Sequence, residues 1–147
     1  MFVAHTKDTM SDLYLDALKI RNQVFVKEQG VPLDREIDNY EAYTIHFVLY
    51  QDTETPMATL RLLPLEDGKI KVQRMAVLKE FRKKGLGKVI MEAAETFANE
   101  HDYQQLALGA QLTARDFYQR LGYQAEGDIF LDAGIEHVTM TKTLQNN

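Results

Sequence analysis

Between Ile70 and Phe97 the chain reads IKVQRMAVLKEFRKKGLGKVIMEAAETF, an alternating apolar strand that turns through Arg82-Lys83-Lys84-Gly85-Leu86-Gly87 directly into an amphipathic helix. Two glycines at such a turn let the backbone bend tightly and approach a ligand with no Cβ in the way. The first amides of the helix have no intrahelical partners, and the positive end of its dipole lies at the same place. A strand, loop and helix start of this kind is an anion site suited to the phosphates of a cofactor. The competing reading is a solvated basic turn, because Gly-x-Gly alone is a weak signal. Two nucleotide fingerprints fail here. A Walker loop needs Ser or Thr after its lysine, and Val89 follows Lys88. A dinucleotide loop needs a third glycine, and Ile90 stands there instead.

The flanking sequence predicts how this segment is carried. Phe2-Val3-Ala4 reads as a short strand, and Ser11 as the N-cap of a helix with Leu13, Ala17, Ile20 and Val24 on one face, ending near Gly30-Val31-Pro32. The stretch from Leu33 to Ala42 is acidic and reads as an irregular loop. Strands follow at Thr44 to Tyr50, Met57 to Leu63 and Ile70 to Leu78, the last two joined by a turn at Asp67-Gly68. The helix after the glycine loop should bury Leu86, Val89, Ile90, Ala93 and Phe97. A strand near Gln105 to Leu108 precedes a helix capped by Thr113, carrying Ala114, Phe117, Tyr118 and Leu121 and stopped at Gly122. Two strands near Asp128 to Leu131 and His137 to Thr143 close the chain through Asp132-Ala133-Gly134. The pattern predicts an α/β layered fold, a single domain over residues 1–147 with a mixed central sheet flanked by helices.

Composition removes several function classes. With 147 residues, 45% hydrophobic and 27% charged, the chain can bury a core without staples. It has no cysteine, which rules out disulfides, thiolate metal sites and a cysteine nucleophile. A formal net charge of −5 argues against a nucleic-acid partner and mildly favours cationic small molecules. No apolar run approaches the ~18 residues that span a bilayer, and the N-terminus lacks signal-peptide character, so no membrane partner and a cytoplasmic location are expected.

Val72-Gln73-Arg74-Met75-Ala76-Val77 followed by Arg82-x-x-Gly85-x-Gly87 resembles motif A of the GNAT N-acetyltransferases. The segment Ala114-Arg115-Asp116-Phe117-Tyr118-Gln119-Arg120-Leu121-Gly122-Tyr123 is similar to the family's A-x-x-F-Y-x-x-x-G-F/Y signature. Arg21 to Pro32 and Phe130 to His137 resemble the ElaA/YjcF-like branch, so the likeness spans nearly the whole chain. It implies a GNAT-type domain and acetyl-CoA as cosubstrate, with no metal. The pantetheine arm would pair with the backbone of Met75, Ala76 and Val77. The pyrophosphate would sit on amides of Arg82, Lys83, Lys84, Gly85, Leu86, Gly87 and Lys88, with the Arg82 side chain helping to hold it. Gly109 departs from the branch, which often has Asn there, and this puts in doubt a side-chain bond to the pantetheine arm or acetyl region.

The resemblance also implies chemistry. Tyr118 is the expected proton donor to the departing thiolate, since a phenol of reference pKa ~10 is protonated at neutral pH and can donate to a sulfur of pKa ~8.5. Spacing alone allows that it only packs with Phe117 and Leu121. The amide of Val77 or a neighbour would face the carbonyl oxygen. For the general base, His137 and Glu28 compete with ordered water, and either side chain could instead be structural. Arg21, Arg61 and Arg74 form either internal ion pairs or a grip on a carboxylate or phosphate of the acceptor, with Glu28, His46 and His137 as further acceptor-side residues; Gln111 could join them, and the resemblance counts Gln111 and Tyr118 with the cofactor-binding residues. The expected activity is direct transfer of an acetyl group to a primary amine of a small molecule. Two alternatives stand beside it: a non-catalytic CoA-binding sensor or interaction module, and an acyltransferase using a longer acyl donor, because the RxxVFxxEQ segment is also similar to acyl-homoserine-lactone synthases. The C-terminal hairpin could join a neighbour's sheet in a homodimer.

Overall fold

In the computed structural model, which describes residues 1–144, seven strands form one sheet. They are β1 (Phe2–Thr6), β2 (Ile45–Tyr50), β3 (Pro56–Pro64), β4 (Lys69–Val77), β5 (Gln105–Gln111), β6 (Gln124–Asp132) and β7 (Ile135–Thr143). Their spatial order is β1-β2-β3-β4-β5-β7-β6. Every neighbouring pair is antiparallel except β4 and β5, which run parallel. A parallel pair needs a crossover, and α3 (Leu86–Glu100) supplies it. The tight turns follow from backbone chemistry. Asp67 and Gly68 both take positive φ (60° and 73°), as do Ala133 and Gly134 (50° and 77°), the geometry that matches the twist of a hairpin.

Helix α1 (Asp12–Arg21) begins where Ser11 accepts a bond from the Tyr14 amide at 3.2 Å. It continues as a π-helical stretch, Asn22–Glu28, and ends before Gly30, which has φ 74°. The acidic segment is not a plain loop. It contains the one-turn α2 (Leu33–Glu36) and a 3₁₀ turn at Glu41–Tyr43. Thr113 does not cap the following helix: it falls inside a 3₁₀ turn, Leu112–Ala114, and α4 (Arg115–Arg120) starts without a side-chain cap.

Helices pack on both faces of the sheet. On one, α1 sets Ala17, Ile20 and Val24 against Val48, Tyr50 and Ala76. On the other, α3 and α4 close the larger core around Leu60, Ile70, Val72, Leu106 and Met140. The buried face of α3 is Leu86, Ile90, Met91, Ala94 and Ala98. This differs from the expected stripe: Val89, Ala93 and Phe97 lie at its margins, and small alanines face the sheet where the helix comes close.

Two irregularities in β4 create the space for a site. Pairing with β3 shifts between Thr59↔Ala76 and Arg61↔Gln73, so Arg74 and Met75 oppose the single residue Leu60. This is a bulge, with Arg74 at φ 55°. On the other side, the ladder with β5 runs only from Lys69↔Gln105 to Val72↔Leu108. Beyond it, Gly109 to Gln111 pair with β7 alone. The two central strands therefore part, leaving the β5-side edge of β4 without a strand partner after Val72.

Candidate active site

A cavity of about 630 Å³ fills this wedge. Its walls come from Gln73 to Met75 and Val77 of β4, the glycine loop, Leu108, Gly109 and Gln111 of β5, Phe117 and Tyr118 of α4, and Phe130 and His137 of the C-terminal hairpin. Elements far apart in sequence thus converge on one volume, because the sheet opens at its only parallel pair.

The floor is the glycine loop. Lys83 and Gly85 take positive φ (64° and 76°), and Gly85 is the N-cap of α3, so successive amides turn towards the helix start. Gly87 is required for a different reason. A Cβ there would stand 3.0 Å from Met75 Cε and 3.1 Å from Phe117 Cζ. That close approach is packing of the Met75 and Phe117 side chains over the start of α3. Gly87→Ala is expected to push the Phe117 ring aside and destabilise the fold by ~1–3 kcal/mol, readable as a lower Tm. An unchanged Tm would show that the flexible Met75 methyl absorbs the contact. Among the basic residues, Arg82 and Lys83 line the cavity, while Lys84 and Lys88 do not. Lys84 Nζ lies 5.8 Å over the Phe81 ring, and Lys88 approaches Glu92 at 3.9 Å. Met75 and Val77 face the cavity, but the Ala76 methyl packs in the α1 core, leaving only its backbone for a ligand.

Tyr118 is buried, with its ring edge-on to Phe117 and Tyr123 (centroids 5.0 and 5.9 Å). Its hydroxyl has no hydrogen-bond partner among the described residues, and Tyr118 is one of the residues that line the cavity. Burial pushes its pKa up to about 12. His137 enters from the opposite sheet face to Val138 and Met140, by strand alternation. Its Nδ1 lies 2.7 Å from the Ile135 carbonyl oxygen and donates to it, which leaves Nε2 as the nitrogen without a hydrogen-bond partner among the described residues. Phe130 stacks on the imidazole at 5.7 Å. The same ring occupies the room a side chain at position 109 would take, since a Cβ there would meet Phe130 Cζ at 3.3 Å.

Several expected site residues are placed elsewhere. Glu28 is not a free base: both carboxylate oxygens accept from Arg82, at 3.0 Å each, and the residue does not line the cavity. Arg82 also donates from Nε to the Val77 oxygen at 2.9 Å. Arg21, Arg61 and His46 do not line the cavity either. Arg21 binds Glu36 and Glu41 at 2.8 Å each, and Arg61 binds Asp38 and Glu41 at 2.7 Å each. His46 Nε2 donates to the Glu41 carbonyl at 2.8 Å, and burial lowers its pKa. The physical reason is common to the two arginines. A buried guanidinium must be matched by carboxylates, and the acidic segment folds back to provide them. Of the three arginines expected at the site only Arg74 reaches the cavity, and Gln111 lies on its β5 wall, 3.4 Å from Gln29. Sequence reasoning missed Arg35, Lys71, Phe130 and Asp132, which also line the space. For Lys71 a signal existed: alternation along β4 puts it on the face of Gln73.

The site is thus a mixed sheet splayed at its parallel pair, with a glycine loop below and a tyrosine beside the gap. The sequence matches the acetyltransferase (GNAT) domain over residues 11–144. An uncharacterized N-acetyltransferase of Bacillus subtilis, YjcF, is 42% identical over 128 residues, covering 86% of this chain and 90% of its own. The crystal structure of an acyl-CoA N-acyltransferase from Pseudomonas aeruginosa superposes with a TM-score of 0.82 at 28% identity, covering 96% of this chain and 99% of that one. Escherichia coli ElaA shares the fold, with a TM-score of 0.86 at 22% identity over 97% of this chain and 99% of its own. The chain belongs to the GNAT acetyltransferase family and is an acyltransferase. Among the described residues no helix is long and apolar enough to cross a membrane.

Proposed function

We propose that the protein transfers an acetyl group from acetyl-CoA directly to a primary amine of a small molecule. The observation that carries this reading is the convergence of the unpaired β4 edge, the glycine loop, Tyr118 and His137 on one cavity. The Pseudomonas neighbour, named as an acyl-CoA N-acyltransferase, supports a CoA thioester as donor. Met75 and Val77 would pair with the pantetheine arm as an added strand, and amides of the Arg82 to Lys88 loop would take the pyrophosphate.

The bound thioester supplies an activated acyl carbon: the amine nitrogen bonds to it, the carbon–sulfur bond breaks, and an amide and a free thiol result. His137 Nε2 accepts the proton that the amine must shed. The Tyr118 hydroxyl gives one to the sulfur, so the proton lost by nitrogen balances that gained by the thiol. With Glu28 engaged by Arg82, the base role rests on His137 or on water held near it. No residue in this scheme forms a covalent intermediate, in keeping with the absence of cysteine.

The deciding experiment is free-thiol release from acetyl-CoA across a panel of amines, run with His137→Gln alongside. The native protein should acetylate at least one amine, and His137→Gln should lose ~10²-fold in kcat, as expected for a missing general base. A loss below about threefold would move the base role to water. CoA binding without transfer to any amine would leave the sensor reading. Faster release from a longer acyl-CoA would change the donor.

A further inference from the structure

The cavity is richer in cations than the chain around it, and the excess can be traced to named groups. Its ionisable lining comprises Arg35, Glu36, Lys71, Arg74, Arg82, Lys83, Asp132 and His137. Arg82 and Lys83 belong to the glycine loop. Arg74 donates from Nη2 to Asp38 at 3.2 Å, and its Nε lies 3.2 Å from Glu36. Together with the ion pairs of Arg21 and Arg61, this sets three arginines against three carboxylates, Glu36, Asp38 and Glu41, each arginine touching two of them.

That leaves Arg35 and Lys71. Neither the Arg35 guanidinium nor Lys71 Nζ has a hydrogen-bond or ion-pair partner among the described residues, and Arg74 Nη1 is also unused. Asp132 is the remaining carboxylate of the lining and pairs with neither. In a chain of net charge −5, two unmatched cations lining one cavity are against the general balance. Arg35 is exposed and Lys71 half-buried, and the backbone that carries each is held. Lys71 sits on β4 within the ladder to Ala107, and Arg35 sits in α2, whose carbonyls at Arg35 and Glu36 accept from Arg74 at 3.1 and 3.2 Å.

Resting on the transferase reading above, we propose that the amine acceptor also carries an oxyanion, a carboxylate or a phosphate, bound by Arg35 and Lys71. Arg35 offers the planar fork and Lys71 a point charge, a combination that suits either oxyanion. The acceptor would then be bifunctional: its amine lies towards Tyr118 and His137 and its anionic end towards α2 and β4. A plain amine of the same size leaves both cations without a partner. The grip assigned from sequence to Arg21 and Arg61 thus passes to residues that the fold leaves uncommitted.

Matched acceptors test this directly. Thiol release from acetyl-CoA would be compared for α-amino acids against their carboxamides, and for phosphoethanolamine against ethanolamine. The native protein should favour the anionic member of at least one pair by ~10-fold or more in kcat/KM. In the Arg35→Gln, Lys71→Gln double variant that preference should fall below about threefold, through KM for the acceptor, with KM for acetyl-CoA unchanged. Equal or better use of the neutral members by the native protein would overturn the proposal while leaving the transferase reading intact. So would a preference that survives in the double variant, or a rise in KM for acetyl-CoA, which would assign these cations to the donor. Failure to release thiol with any acceptor would remove the transferase reading itself, and this proposal with it.

Discussion

Tyr118→Phe should lower kcat by ~10²–10⁴-fold while leaving CoA affinity within about twofold. The substitution removes one oxygen and no packing. The ring keeps its edge contacts with Phe117 and Tyr123, and nothing in the fold holds the hydroxyl, which has no hydrogen-bond partner among the described residues. Only a step that uses the proton can therefore register the loss. The pH dependence follows from burial, which lifts this phenol from 10.0 to about 12. The protonated form is the active one, so it stays fully populated as pH rises through the neutral and mildly alkaline range. Activity lost through Tyr118 should appear only as pH approaches about 12. Any decline between pH ~8 and ~10 would belong to another group. If the variant retains native kcat with an efficient acceptor, Tyr118 is a packing residue and the thiolate leaves unassisted.

Glu41→Gln should destabilise the protein by ~3–5 kcal/mol, lowering Tm by roughly 10 °C, with no direct effect on the cavity chemistry. This carboxylate accepts from Arg21 Nη1 at 2.8 Å, Arg61 Nη1 at 2.7 Å and the Tyr14 hydroxyl at 3.0 Å. Neutralising it leaves two buried guanidinium groups sharing Glu36 and Asp38 with Arg74, one charge short. Burial alone would raise the Glu41 pKa, but the bonds and charge of Arg21, followed by the Asp38 amide and the charge of Arg61, outweigh it and hold the carboxyl at about 2. A carboxyl depressed in the folded state stabilises above its ordinary pKa and loses that contribution as pH falls towards the folded value. Native stability should therefore decline between pH ~5 and about 2, and the Glu41→Gln variant should show a shallower acid limb in chemical denaturation. A loss below about 1 kcal/mol would mean that the network is replaceable.

How far the sequence revealed the protein depends on the range of the interaction. Gly85 and Gly87 announce themselves because positive φ and close approach leave a local mark, and the Asp67-Gly68 turn does so for the same reason. Tyr118 was legible from its motif and its helical neighbours. The fate of Arg21 and Arg61 was not, because it depends on Glu36, Asp38 and Glu41 folding back from a stretch whose composition reads as loop. The Glu28–Arg82 pair spans 54 positions, and nothing local to either residue points to the other. The same holds for Phe130 filling the space over Gly109. Arg35 was hidden in acidic surroundings, although it is the residue of that stretch left free for a ligand.

The bulge at Arg74-Met75 sets the chain's tolerance of length changes. Ahead of it, even-numbered Ile70 and Val72 enter the α3 core; past it, odd-numbered Met75 and Val77 do so, and Ala76 turns to α1. Deleting either bulge residue would restore simple alternation and reverse the parity of one half of β4. Methionine and valine would then press on Ala17 and Ile20 where only a methyl fits, or Lys71 and Gln73 would enter the larger core. A one-residue deletion here should thus be far more damaging than any single substitution at the same positions, and natural variants of this protein should differ in the identity of residues 74 and 75 but not in their number.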